Sequence, residues 1–101
     1  MPYEILVGLQ VTDDQQYQQY REGMMPILTS YGGAFLYDFK VSEVLKPVTN
    51  CAINRVFTIN FPDKSAMNNF FEDPHYLTIK QHYFENSVGE MNIIAGYNKE
   101  A

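Results

Sequence analysis

Between Tyr17 and Phe35 the chain changes its hydrophobic period across a pair of glycines. Upstream, Tyr17, Tyr20 or Arg21, Met24, Ile27 or Leu28, and Tyr31 recur every three to four residues, the spacing of one helix face. Gly32-Gly33 supplies the positive φ that stops a helix without steric cost. From Ala34 to about Lys40, Phe35, Tyr37 and Phe39 alternate with Leu36 and Asp38, the period of a strand. Pro26 falls inside the helical stretch and, having no N–H, is expected to bend or interrupt it.

The same grammar runs through the rest of the chain. Tyr3, Ile5, Val7, Leu9 and Val11 share one face of a first strand, with Glu4, Leu6, Gly8 and Gln10 on the other. Thr12 is placed to cap the following helix, with Gln15 reaching back. Lys46-Pro47-Val48-Thr49-Asn50 is turn chemistry, and Ile53 to Phe61 is a third strand rich in β-branched and aromatic residues. Asp63 caps a short helix, Lys64 to Glu72. Asp73-Pro74 restarts it as far as about Asn86, with proline at the first helical position. Met91 to Tyr97 closes the pattern as a last strand.

The order strand, helix, strand, strand, helix, strand describes one α+β domain over residues 1–98 with a polar tail, 99–101. Both helices can cover only one face of a four-stranded antiparallel sheet. The other face would carry Leu6, Gly8, Val56 or Phe57, and Ile93 or Ile94, which is too apolar to stay wet. A second copy packed face to face is the simplest cover, so a homodimer is expected. The net charge of −5, with scattered basic residues, argues against nucleic acid or an anionic membrane surface as partner. Cys51 is the only cysteine, which excludes an internal disulfide and points to a reducing, cytoplasmic setting. Neither a signal peptide nor a membrane-length apolar run is apparent.

Tyr20-Arg21, Pro26, Tyr31-Gly32-Gly33, Phe61-Pro62-Asp63, Ala66-Met67, Phe70-Phe71, Pro74-His75-Tyr76 and Ile94-Ala95-Gly96-Tyr97 resemble, in order and spacing, the family called domain of unknown function 1330. The resemblance spans Tyr3 to Tyr97. It implies a ferredoxin-like fold that pairs into a dimeric α/β barrel. That superfamily holds cofactor-free monooxygenases, isomerases, haem-dependent enzymes and non-catalytic members, so membership alone does not name a reaction. Relatives commonly carry an arginine a few residues after the position of Lys80; this chain reads Lys80-Gln81-His82-Tyr83-Phe84-Glu85. An anion held there in relatives would be lost here, or met by His82 or Tyr83.

Tyr17, Tyr20, Arg21 and Met24 lie on one helical stripe, placing phenols and a guanidinium where a cavity between sheet and helices would open. The plainer reading is that the tyrosines pack on the sheet while Arg21 meets Asp38 or a surface acid. Asp38 and Asn60 are the polar residues of strand interiors. A candidate ligand site therefore comprises Tyr20, Arg21, Asp38, Tyr76 and His82, with Arg21 as anchor and Tyr37, Phe57 and Met91 as apolar walls. No metal or other cofactor is expected: His75 and His82 are about 10.5 Å apart along a helix, too far for shared ligation at about 2 Å. Cys51 has no organised cation to lower its thiol pKa. Two functions follow: binding or turnover of a small organic molecule, or a non-catalytic dimerisation domain with no ligand.

Overall fold

A computed structural model describes residues 1–48 and 52–99. Cys51, and with it any role for its thiol, lies outside the described residues. Four strands, β1 (Tyr3–Val11), β2 (Ala34–Lys40), β3 (Arg55–Phe61) and β4 (Val88–Asn98), form one antiparallel sheet in the order β2-β3-β1-β4. Helix α1 (Asp14–Ser30), helices α2 (Lys64–Glu72) and α3 (Pro74–Ile79), and the segment between α3 and the short α4 (Glu85–Ser87) contribute the buried residues that meet one face of this sheet. No helix among the described residues is long and apolar enough to cross a membrane.

The residues expected on one face of β1 are indeed the packed ones. Ile5, Val7 and Leu9 meet Phe57, Ile59 and Phe61 of β3, and Tyr17, Tyr20, Met24 and Leu28 of α1 close over them. Phe70 of α2 is fully buried, with ring contacts to Phe61, Phe71, Tyr31 and Tyr76. At the end of α1, Gly32 adopts φ 77° and its N–H bonds Thr29 O at 2.9 Å. A Cβ there would also sit 2.6 Å from Cγ of Pro62, so the turn needs glycine for two reasons.

Several boundaries differ from the expected ones, each for a local reason. The N-cap of α1 is Asp13, whose carboxylate accepts from Gln16 N at 3.1 Å; Thr12 is held outside the helix by its own N–H bonding Ser87 O at 2.7 Å. Pro26 does not interrupt α1. It lies on the exposed side with Glu22, whose carbonyl loses its helical donor and can turn to water. Strand β3 begins at Arg55 rather than Ile53, because the Asn54 side chain takes the pairing role. Its Oδ1 accepts from Val11 N and its Nδ2 donates to Val11 O, both at 2.9 Å. Strand β4 starts at Val88, three residues early, since its pairing with β1 continues past a register shift to Val11↔Val88.

The last helical stretch is not uniform: Lys80–Phe84 forms a π turn between α3 and α4. In a regular α-helix residues 76 and 84 would be about 80° apart around the axis. The wider turn reduces that angle, and Tyr76 and Phe84 are both buried against Tyr20. A sequence read with a fixed period of 3.6 does not register this wider turn.

On the sheet's far face the ambiguous positions resolve as Val56 facing out and Phe57 facing the helices. Ile94 lines an outer groove with Ile53, and Ile93, beside the β1–β4 register shift, reaches the grooves of both faces. Ile53 also covers Gly8, where a Cβ would come 2.8 Å from its side chain. A groove of about 280 Å³ is lined by Leu6, Tyr37, Phe39, Val56, Phe57 and Thr58, with Tyr37 and Phe39 stacked and more than half exposed. Glu4 is the buried acid of this face: Tyr97 Oη donates to its carboxylate, and Lys99 Nζ sits 3.1 Å away. Burial opposes ionisation of Glu4, but the bonds from Tyr97, Lys99 and Asn60 outweigh it and hold its pKa below the usual value.

Candidate functional site

Two polar clusters occupy the helix side of the sheet, both anchored on α1. In the first, Arg21 Nε donates to Tyr17 Oη at 2.8 Å, while its two terminal nitrogens lie 3.3 Å from the Asp38 oxygens. Arg55 grips the same carboxylate bidentately, Nε to Oδ1 and Nη2 to Oδ2, both at 2.8 Å. The Arg21 guanidinium sits between two aromatic rings, 3.9 Å from the Phe35 ring centroid and 4.8 Å from that of Phe57. The plainer expectation for Arg21, a partnership with Asp38, is what the geometry contains.

Arg55 was not among the residues singled out for a site. The signal was present: Arg55 precedes Phe57 by two positions in a strand, so both project to the helix side. The β2–β3 register shift between Phe35 and Asp38 brings the carboxylate to that side as well. Bonding by Arg55 is the main reason that the Asp38 pKa is lowered; burial opposes the change and Arg21 adds to it. Reciprocally, the bond to Asp38 raises the pKa of Arg55.

The second cluster is a pair of phenols. Tyr20 Oη and Tyr76 Oη are 2.9 Å apart in the core. Burial pushes both pKa values up, that of Tyr20 far above the usual tyrosine value, so both hydroxyls stay protonated at neutral pH. Tyr20 and Tyr76 line a cavity of about 30 Å³ whose other walls include Phe57, Phe84, Met91 and Ile93. That volume is the size of one water or one oxygen-bearing group. Met91 and Ile93, at 48% and 52% exposed, form its outer edge beside β4.

Of the five candidate site residues, Arg21 joins Asp38, and Tyr20 joins Tyr76. His82 is exposed, with its ring 6.3 Å from that of Tyr83, and no hydrogen bond among the described residues ties it to the other four. Of the three expected walls, Phe57 and Met91 line the cavity, whereas Tyr37 stands on the opposite face of the sheet. The missed wall residue is Phe84, which the π turn brings inward. Among the described residues no group of three or more His, Cys, Asp or Glu is arranged to hold a metal ion.

Solved structures share this fold. A protein of unknown function from Rhodopseudomonas palustris superposes with TM-score 0.80 at 16% identity, over 99% of this chain and 83% of that one. A dabb family protein with a ferredoxin-like fold from Mesorhizobium loti gives TM-score 0.67 at 12% identity, covering 99% and 98% of the two chains. A putative antibiotic biosynthesis monooxygenase from Nitrosomonas europaea gives 0.61 at 13%, covering 97% and 89%. At these identities the likeness is one of fold: α+β and ferredoxin-like. A comparison with curated proteins gives no match. Residues 3–97 match the family described as "Domain of unknown function (DUF1330)", nearly the whole chain, and the chain belongs to this family.

Proposed function

We propose that this protein is a cytoplasmic homodimer that binds a small organic molecule at the Tyr20–Tyr76 cavity. The observation that carries the binding reading is the pairing of two buried hydroxyls at the inner end of an apolar cavity whose outer edge is half exposed. Apolar walls with a few convergent polar groups are the usual build of a small-molecule site. The interior volume admits only one end of a ligand; the rest lies along Met91 and Ile93. Methionine is flexible enough to yield to such a body.

In this reading Arg21 and Asp38 are not ligand anchors. Arg21 has its donors committed to Tyr17 and Asp38, and it braces α1, the helix that presents Tyr20. His82 lies outside the site. Filling the mouth with Met91→Trp is expected to abolish ligand-induced thermal shifts from a panel of small neutral organic compounds, with little change in the melting temperature without ligand. Unaltered shifts would place binding elsewhere. A panel that shifts neither protein would favour the second reading, a dimerisation domain with no ligand, which the tight filling of the interior supports.

The homodimer rests on the far face. Leu6, Val56, Tyr37, Phe39 and Ile94 project from it, and the segment beyond β2 adds Leu45 and Val48, both almost fully exposed. An apolar surface of this kind on a small domain calls for cover, and the face of a second copy has the same apolar character. Light scattering is expected to give twice the chain mass for the natural protein and the single-chain mass for Leu6→Arg. A monomeric natural protein would overturn the assembly.

A further inference from the structure

The Tyr20–Tyr76 pair contains one hydrogen-bond donor more than it uses. Two phenols bring two O–H groups, and the single O···O contact of 2.9 Å consumes one hydrogen. Among the described residues the remaining hydroxyl hydrogen has no acceptor, although both side chains are at least 95% buried. Buried donors are rarely left without a partner. The cavity that both tyrosines line has room for one oxygen-sized group, and no charged side chain lines it. The cation on the same helix, Arg21, is paired with Asp38 and bonded to Tyr17, and it does not line the cavity.

The geometry points to a ligand that is uncharged and presents one acceptor oxygen, a carbonyl compound such as a ketone or aldehyde, with its oxygen accepting the hydroxyl hydrogen that the Tyr20–Tyr76 bond leaves over. This rests on the cavity reading above and names its ligand class. A carboxylate would enter an apolar cavity with no cation to meet it, and an uncompensated charge there is strongly disfavoured. A pure hydrocarbon would fit the mouth but leave the spare hydroxyl hydrogen unmet. A ketone satisfies both the walls and the donor. Burial keeps both phenols protonated, so the donor persists across the neutral range.

The test is a protein-detected NMR titration with three probes of one size: cyclohexanone, methylenecyclohexane and cyclohexanecarboxylate at pH 7. Cyclohexanone is expected to shift the resonances of Tyr20, Tyr76 and Met91, and to bind about five-fold tighter than methylenecyclohexane, the worth of one net hydrogen bond. The carboxylate is expected to leave these resonances unmoved. In a Tyr20→Phe/Tyr76→Phe protein the preference for the ketone over methylenecyclohexane is expected to vanish. Equal binding of ketone and alkene to the natural protein would overturn the carbonyl assignment and leave the cavity reading standing. Tighter binding of the carboxylate would overturn the assignment as well. Failure of all three probes to move these resonances would overturn both.

Discussion

Phe70→Ala is expected to lower unfolding stability by about 3–5 kcal/mol, the usual range for deleting a fully buried phenylalanine. Phe70 is 0% exposed and its ring contacts come from four separate places: Phe61 on β3, Phe71 on its own helix, Tyr31 at the end of α1, and Tyr76 on α3. No single neighbour can move into the space left behind without abandoning its own packing, so the hole stays largely open. For a domain of this size that loss approaches the whole folding free energy. Urea denaturation is the measurement. Phe71→Ala, at a half-buried position, provides the comparison and is expected to cost less than half as much. Equal costs for the two variants would mean that Phe70 is not the keystone of this contact set.

Asp38→Ala is expected to cost about 2 kcal/mol, below the range for fully buried pairs because the carboxylate is partly exposed. The side chain of Arg21 is 9% exposed and that of Asp38 32%, so the loss falls mainly on Arg21, which is left charged and unpaired in an aromatic slot. Adding Arg21→Met to Asp38→Ala is expected to recover part of the loss, since an apolar side chain suits Phe35 and Phe57. The pH dependence follows from the lowered pKa of Asp38, due first to Arg55. A carboxylate depressed in the folded state contributes fully above its unfolded pKa of about 4. The contribution is lost as pH falls through the folded value. Chemical denaturation of the natural protein and of Asp38→Ala should therefore converge on acidification below about pH 4. A constant gap down to pH 2 would contradict the ion-pair account.

The fold was legible because its signals are local. Gly32-Gly33, Asp63, and Asp73-Pro74 act within a few residues, and each marks the boundary it was expected to mark. What stayed hidden depended on partners distant in sequence. The meeting of Asp38 with Arg55 needs the β2–β3 register shift, which no alternation pattern displays. The inward turn of Phe84 needs a π turn, and the burial of Tyr76 and Phe84 beside Tyr20 becomes visible only once that turn is placed. Thr12 was expected to cap α1, and Asp13 does so instead. The Thr12 N–H donates to the carbonyl of Ser87, a partner far along the chain. For the candidate site, residue type was a fair guide on α1, where the helical stripe held. It misled for Tyr37, because which face a residue of β2 presents changes across the shift.

The pairing of β1 with β4 has a consequence for how the chain acquires its structure. Glu4 and Tyr97 are held together across 93 positions, and β1 is an interior strand of the sheet. During synthesis β1 emerges early and β4 late, so a nascent chain can assemble β2, β3 and β1 while one side of β1 still lacks its neighbour. That open edge is available for pairing with other chains until the β4 segment clears the ribosome. Loop closure over such a distance also slows the final step of folding relative to domains with local contacts. Yield in rapid expression should therefore be governed by how long β1 waits for β4.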